Sequence, residues 1–140
     1  GALAMLQGVF HPSYLETHQV AGHLLKQPLL SVFKGEGGEI ERRPNKPLIV
    51  KKLQYGVLSE VEWPPLLPET RQPHDDEMDP ARLKAVWRSD IVDEYATAAV
   101  IGTTALALDV LGRTGGAEDA RCQAKVMWED RDLEHLGAAA

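Results

Sequence analysis

One stretch restricts the fold of this chain more than any other: the unbroken apolar run "LLSVF", Leu29 to Phe33, which passes directly into "KGEGGEIERRP". A short apolar run without alternation belongs to a strand covered on both faces. The segment before it, "HPSYLETHQVAGHLLKQP", reads as a helix. Pro12 suits a first turn, Ser13 and Glu16 have capping-box spacing, and Leu15, Val20, Leu24 and Leu25 give a partial apolar stripe. Pro28 ends it. A helix that delivers a doubly covered strand is one unit of an α/β layer.

The rest of the chain fits that class. "PLIVKKL" (Pro47 to Leu53) and "YGVLSEVEW" (Tyr55 to Trp63) read as strands, the second with Val57, Ser59 and Val61 on one face. Gln54 and its neighbours form the bend, and no Asn-Gly or Asp-Gly pair marks a tight hairpin. "PPLLPETRQPHDDEMDP" carries five prolines and reads as a loop. Asp79-Pro80 then sets an N-cap and a first-turn proline for a helix through "ARLKAVWRSD". Asp90, Asp93 and Glu94 open a long Ala-rich helix that stops at Gly112. A last helix, "AEDARCQAKVMWEDRD", places Ala117, Ala120, Ala124, Met127 and Trp128 on one buried stripe, with Cys122 as a packed thiol beside it. The opening "ALAML" is helix-like but has no capping residue before it, which suggests a missing preceding segment. The expectation is one α/β unit over residues 1–136, a short mixed sheet flanked by helices and incomplete on its own, with a frayed tail at 137–140.

With 140 residues there is room for one core. The net charge of −6 excludes a basic surface over the whole chain, but the charge is unevenly spread. Arg42 to Lys52 holds five basic residues and no acid, whereas Glu60 to Asp79 holds seven acids against Arg71. A single cysteine, Cys122, allows no intrachain disulfide and points to a reducing cytoplasm. The N-terminus lacks the positive charge of a signal peptide. Tyr95 to Leu111, with Asp109 and three threonines, reads as a buried helix rather than a membrane span.

Ligands of open α/β sheets collect at the carboxyl ends of strands, which is where the Gly-rich turn falls. Gly35, Gly37 and Gly38 would let backbone N–H groups approach a phosphate, and Lys34 would add charge. Glu36, Glu39 and Glu41 repel a bare phosphate, and the two fit together only across a Mg²⁺ ion. A plain structural turn is the competing reading. Arg42, Arg43, Lys46, Lys51 and Lys52 are candidates for phosphate-backbone contact with nucleic acid, set against a solvated face. Lys51 and Lys52 face opposite ways on a strand, and Tyr55 is the one aromatic close by. Asp75 to Asp79, "DDEMD", reads as a solvated loop before a helix cap. His18 and His23 miss the i, i+4 spacing of a helical metal pair, and no Ser-His-Asp arrangement emerges, so no catalytic residue is assigned.

The order "GVFHPSYLE…LL…VFKGEGGE" resembles the C-terminal part of the α/β domain of anthranilate phosphoribosyltransferase-like proteins. There a strand ends in His-Gly-x-x-Gly-Leu-Asp-Glu, whose Asp-Glu pair binds the Mg²⁺ of phosphoribosyl pyrophosphate. Matched residue by residue, Lys34 falls on the His, Gly35 and Gly38 on the glycines, and Glu39 on the Leu. Ile40 falls on the metal-binding Asp and Glu41 on the metal-binding Glu, so half of the acidic pair is gone. "GGEIERRPNKP", "DDEMDPARLKAVW", "EYATAAVIGTTALALDVLGR" and "AKVMWEDR" resemble paralogues labelled glycosyltransferase family protein, a branch associated with nucleic-acid binding. The resemblance covers residues 2 to 134. It lacks the family's N-terminal helical domain and first pyrophosphate loop.

The resemblance implies a fragment of a divergent paralogue with weak or no phosphoribosyl transfer, Mg²⁺ held partly by Glu41, and sequence-independent contact with a nucleic-acid backbone. It also implies a cytoplasmic homodimer when the missing segment is present. Two alternatives stay open: part of a Mg²⁺-dependent anthranilate phosphoribosyltransferase of tryptophan biosynthesis, and a structural piece without activity of its own.

Overall fold

A computed structural model describes residues 2–35, 41–68 and 79–135. Four strands and four helices follow in the order β1 (Ala4–Val9), α1 (Tyr14–Leu24), β2 (Leu29–Lys34), β3 (Leu48–Gln54), β4 (Val57–Trp63), α2 (Pro80–Arg88), α3 (Glu94–Val110) and α4 (Ala117–Glu129). The sheet runs β1-β2-β3-β4. β1 and β2 are parallel, from Ala4 opposite Leu29 to Val9 opposite Lys34, and α1 is the crossover between them. β3 returns antiparallel to β2, with Phe33 opposite Val50, and β4 is antiparallel to β3. This is the mixed sheet flanked by helices expected of the sequence. Among the described residues no helix is long and apolar enough to cross a membrane.

β2 is buried from Leu29 through Phe33, as its unbroken apolar run predicts. Strand alternation sends Leu30 and Val32 to one face, where they pack with Val9, Leu53 and Leu15 of α1. Phe33 goes to the other face and joins Leu48, Val50, Trp63, Ala105 and Leu106 of α3, and Ala120 and Ala124 of α4. Each large apolar side chain buried there contributes about 1.5–3 kcal/mol. The small residues of α3 let its neighbours come close. A Cβ on Gly102 would lie 2.8 Å from Leu66 Cδ1 and 3.0 Å from Arg42 Cδ.

Several expectations need correction. The helix-like opening is a strand, because the backbone of residues 4–9 pairs with β2 and places Leu6 against one core and Val9 in the other. A tight hairpin does join β3 to β4. Tyr55 and Gly56 both take positive φ (47° and 88°), the backbone of a two-residue turn whose twist matches the strands it joins. The face that α1 buries is Leu15, Gln19 and Gly22, whereas Leu24 and Leu25 are exposed. Gln19 Nε2 donates to the carbonyls of Lys52 (2.6 Å) and Ser59 (2.9 Å), fastening α1 to β3 and β4. Ser13 makes no side-chain cap; its hydroxyl meets His11 Nδ1 at 2.7 Å instead. On α4 the buried stripe is Ala120 and Ala124, with Met127 and Cys122 exposed.

The capping expectations hold elsewhere. Asp79 accepts from Ala81 N and Asp93 from Ala96 N, each at 2.9 Å, and Gly112 follows α3 at φ 68°. α2 is fastened to the end of α4 by Arg131. Its guanidinium lies 3.6 Å from the Trp128 ring centroid and donates to the Trp87 carbonyl at 2.8 Å.

Candidate functional site

The carboxyl ends of β1 and β2 are tied together where Gly35 N donates to the Val9 carbonyl at 3.0 Å. Beside them lies a pocket of about 350 Å³, lined by Lys34, Arg43 and Lys46 with Pro12 of the β1–α1 connection, Leu15 of the α1 first turn and the start of β3. Topology accounts for the grouping. β3 runs antiparallel to β2, so the residues that lead into β3 return to the end at which β2 stops. Lys34 and Ile49 share the α1 side of the sheet by alternation. Among the described residues, neither Lys34 nor Lys46 forms a salt bridge.

The other basic candidates are placed differently. Arg42 is 1% exposed. Its backbone N–H donates to Thr103 Oγ1 at 2.9 Å, its guanidinium donates to the Pro64 carbonyl, and it lies 5.4 Å from the Trp63 ring centroid. Burial, and then the neighbouring Arg121 charge, push its pKa down to about 10. A phosphate backbone approaching from solvent does not reach it. Lys51 and Lys52 do face opposite ways, and each meets a carboxylate. Lys51 Nζ is 2.5 Å from Glu60, its cross-strand neighbour, which holds the ammonium pKa above its ordinary value. Lys52 Nζ is 2.9 Å from Asp109 Oδ2 of α3, with side-chain exposures of only 14% and 7%. Arg42 and Lys52 are therefore part of the packed interior between sheet and helices. Of the five basic candidates, the pocket gathers Arg43 and Lys46, and adds Lys34 from the phosphate set.

Gly35 is buried at the strand end, and Glu41 is exposed where the described chain resumes. Gly37 and Gly38, together with Glu36, Glu39 and Ile40, lie outside the described residues, as do His74 and Asp75 to Glu77. Among the described residues no three His, Cys, Asp or Glu side chains converge on one point. The described lining of the pocket offers three cations and no carboxylate, a donor set that suits an anion and does not fit Mg²⁺.

Sequence reasoning missed an aromatic cluster on the same connection as Pro12. The Phe10 and Tyr14 rings are 5.3 Å apart between centroids, and His11 stands 6.3 Å and 6.2 Å from them. Phe10 and Tyr14 are both exposed. The signal was present in "FHPSY", where a proline turn returns ring to ring, but it was read only as a helix start. The rings belong to the connection that also brings Pro12 to the pocket of Lys34, Arg43 and Lys46.

No family model matches the chain, and no curated protein matches it.

Proposed function

We propose that this chain is the C-terminal part of the α/β domain of an anthranilate phosphoribosyltransferase-like glycosyltransferase family protein, a divergent paralogue that binds the backbone of single-stranded nucleic acid and transfers phosphoribosyl groups weakly or not at all. The observation that carries the reading is the convergence of Lys34, Arg43 and Lys46 on one pocket at the carboxyl ends of the parallel strands, without a carboxylate among its described lining. The resemblance of "FKGEGGEIE" to a metal–phosphate turn that has lost one acid supports the same conclusion. Because the described lining does not fit Mg²⁺, no catalytic step is derived through that ion. The residues bind phosphates by charge and bases by stacking on Phe10 and Tyr14, and neither interaction selects sequence.

Binding of a fluorescent oligothymidylate, followed by polarisation at rising salt, tests this. Three phosphate contacts give a slope of about −2 in log K against log salt for a single strand. Lys34→Ala/Arg43→Ala/Lys46→Ala should remove most of the binding and flatten the slope. Tyr14→Ala should weaken binding by about 1–3 kcal/mol with the slope unchanged. Binding that is indifferent to the triple variant overturns the reading. Turnover of phosphoribosyl pyrophosphate with Mg²⁺ that is lost in Glu41→Ala favours the enzyme instead.

A further inference from the structure

β4 is an outer strand of the sheet, with β3 on one side and no described strand on the other. Its two-residue turn fixes which backbone groups look outward. Gln54 and Val57 close the turn as a hydrogen-bonded pair, and alternation makes Lys52 with Ser59 and Val50 with Val61 pairs of the same kind. The carbonyls of Lys52 and Ser59 lie close enough for one Gln19 amide to reach both, in keeping with such a pair. The N–H and C=O groups of Leu58, Glu60 and Glu62 therefore point away from β3, and none has a hydrogen-bond partner among the described residues. Natural sheets blunt an open edge with a bulge, a proline or a lysine. β4 has none of these: its register to β3 is continuous from Val57 to Trp63, and every residue from Val57 to Glu62 is exposed.

The two faces of this edge differ. Leu58, Glu60 and Glu62 lie on the α1 side, level with Leu53, whereas Val57, Ser59 and Val61 lie on the α3 side, level with Val50 and Trp63. Lys51 answers Glu60 at 2.5 Å, but Glu62, opposite Ile49, has no ion-pair partner among the described residues. The edge is thus apolar on one face and negative on the other. A second copy does not complement it. Two-fold antiparallel pairing about Glu60 sets that carboxylate against its own image, and pairing about Ser59 sets Glu60 against Leu58 and Glu62 against Gly56. Neither register answers Glu62.

We propose that β4 accepts an extended segment of a partner protein as a fifth, antiparallel strand, with β-branched residues beside Val57, Ser59 and Val61 and a lysine or arginine opposite each of Glu60 and Glu62. Main-chain hydrogen bonds to Leu58, Glu60 and Glu62 supply the affinity, and the alternation of apolar and basic side chains supplies the selectivity. Lys34, Arg43 and Lys46 take no part, so this edge does not depend on what their pocket binds.

The probe is a fluorescein-labelled, end-capped peptide, Lys-Val-Lys-Thr-Leu-Val, whose residues fall opposite Glu62 back to Val57 in turn. It should bind the whole chain saturably in a polarisation assay. N-methylation of its two lysine amides and its leucine amide, which face β4, should weaken binding about tenfold or more. N-methylation of its valine and threonine amides, which face solvent, should leave binding within about twofold. The two methylated peptides have the same charge and length, so general attraction to an acidic chain does not separate them. Glu62→Lys, at an exposed position, should weaken the parent peptide about fivefold and favour instead a peptide with glutamate in place of the first lysine. No saturation below about 1 mM peptide, an equal effect of the two methylation patterns, or an unaltered preference in Glu62→Lys each overturns the proposal. A dimer of the chain in sedimentation velocity that the peptide does not dissolve overturns it too.

Discussion

Lys52→Met should be among the most damaging single changes in this chain, although sequence reading made Lys52 a surface contact. Its ammonium lies 2.9 Å from Asp109 Oδ2, at an angle that makes no hydrogen bond, so charge alone holds the carboxylate. Asp109 sits in the last turn of α3, where the helix dipole already disfavours a negative group. Removing the lysine leaves that carboxylate buried and uncompensated. Breaking a buried pair costs about 3–5 kcal/mol, and the residual exposure of Lys52 places this one at the low end, about 3 kcal/mol. With a urea slope of about 2 kcal/mol/M, the unfolding midpoint should fall by about 1.5 M. Lys52→Met/Asp109→Leu removes both charges, and its midpoint should return most of the way toward the parent value. Urea denaturation of the parent, the single and the double variant decides the matter. A shift below about 0.3 M in Lys52→Met, or a double variant no better than the single, would refute the account of the pair.

Three further outcomes follow from local geometry. Gly56→Ala forces a side chain into positive φ and should cost about 1–2 kcal/mol, while Tyr55→Asn, at φ 47°, should stabilise by about 0.5–1 kcal/mol in the same urea assay. The Asp119 carboxylate accepts from Gly115 N at 2.8 Å and Gln123 Nε2 at 3.1 Å, which holds its pKa below the ordinary aspartate value. A depressed carboxylate stabilises the fold above its unfolded pKa and loses that contribution as pH falls through the folded value. Asp119→Asn should therefore weaken the chain at neutral pH and flatten the acid limb of its stability curve, and a native-state NMR titration should place the Asp119 midpoint below that of an exposed aspartate.

What could be read from the sequence was what neighbouring residues decide. Asp79 and Asp93 cap helices whose first N–H groups lie two and three residues on, so the chemistry is written locally. The doubly covered β2 was legible because no polar residue other than Ser31 interrupts it. β1 was not, because its identity as a strand depends on a partner that begins at Leu29, beyond any local pattern. Arg42 was misread for the same reason. Its charge suggested solvent, yet its surroundings come from Trp63, Pro64 and Gly102, remote in the chain. The opposite facing of Lys51 and Lys52 was foreseen from alternation, but the carboxylates that answer them come from β4 and α3. The pocket of Lys34, Arg43 and Lys46 arises only once β3 turns back along β2.

The three tryptophans of this chain stand in two different settings, each with a guanidinium at its ring. Trp63 is sealed between sheet and helices, while Trp87 and Trp128 meet edge to face with centroids 5.8 Å apart at the junction of α2 and α4. Intrinsic emission from a Trp87→Phe/Trp128→Phe variant thus reports on opening of the interior alone. The difference from the parent protein isolates release of the Arg131 clasp, so the fraying of α2 and the collapse of the core can be timed separately without any added dye.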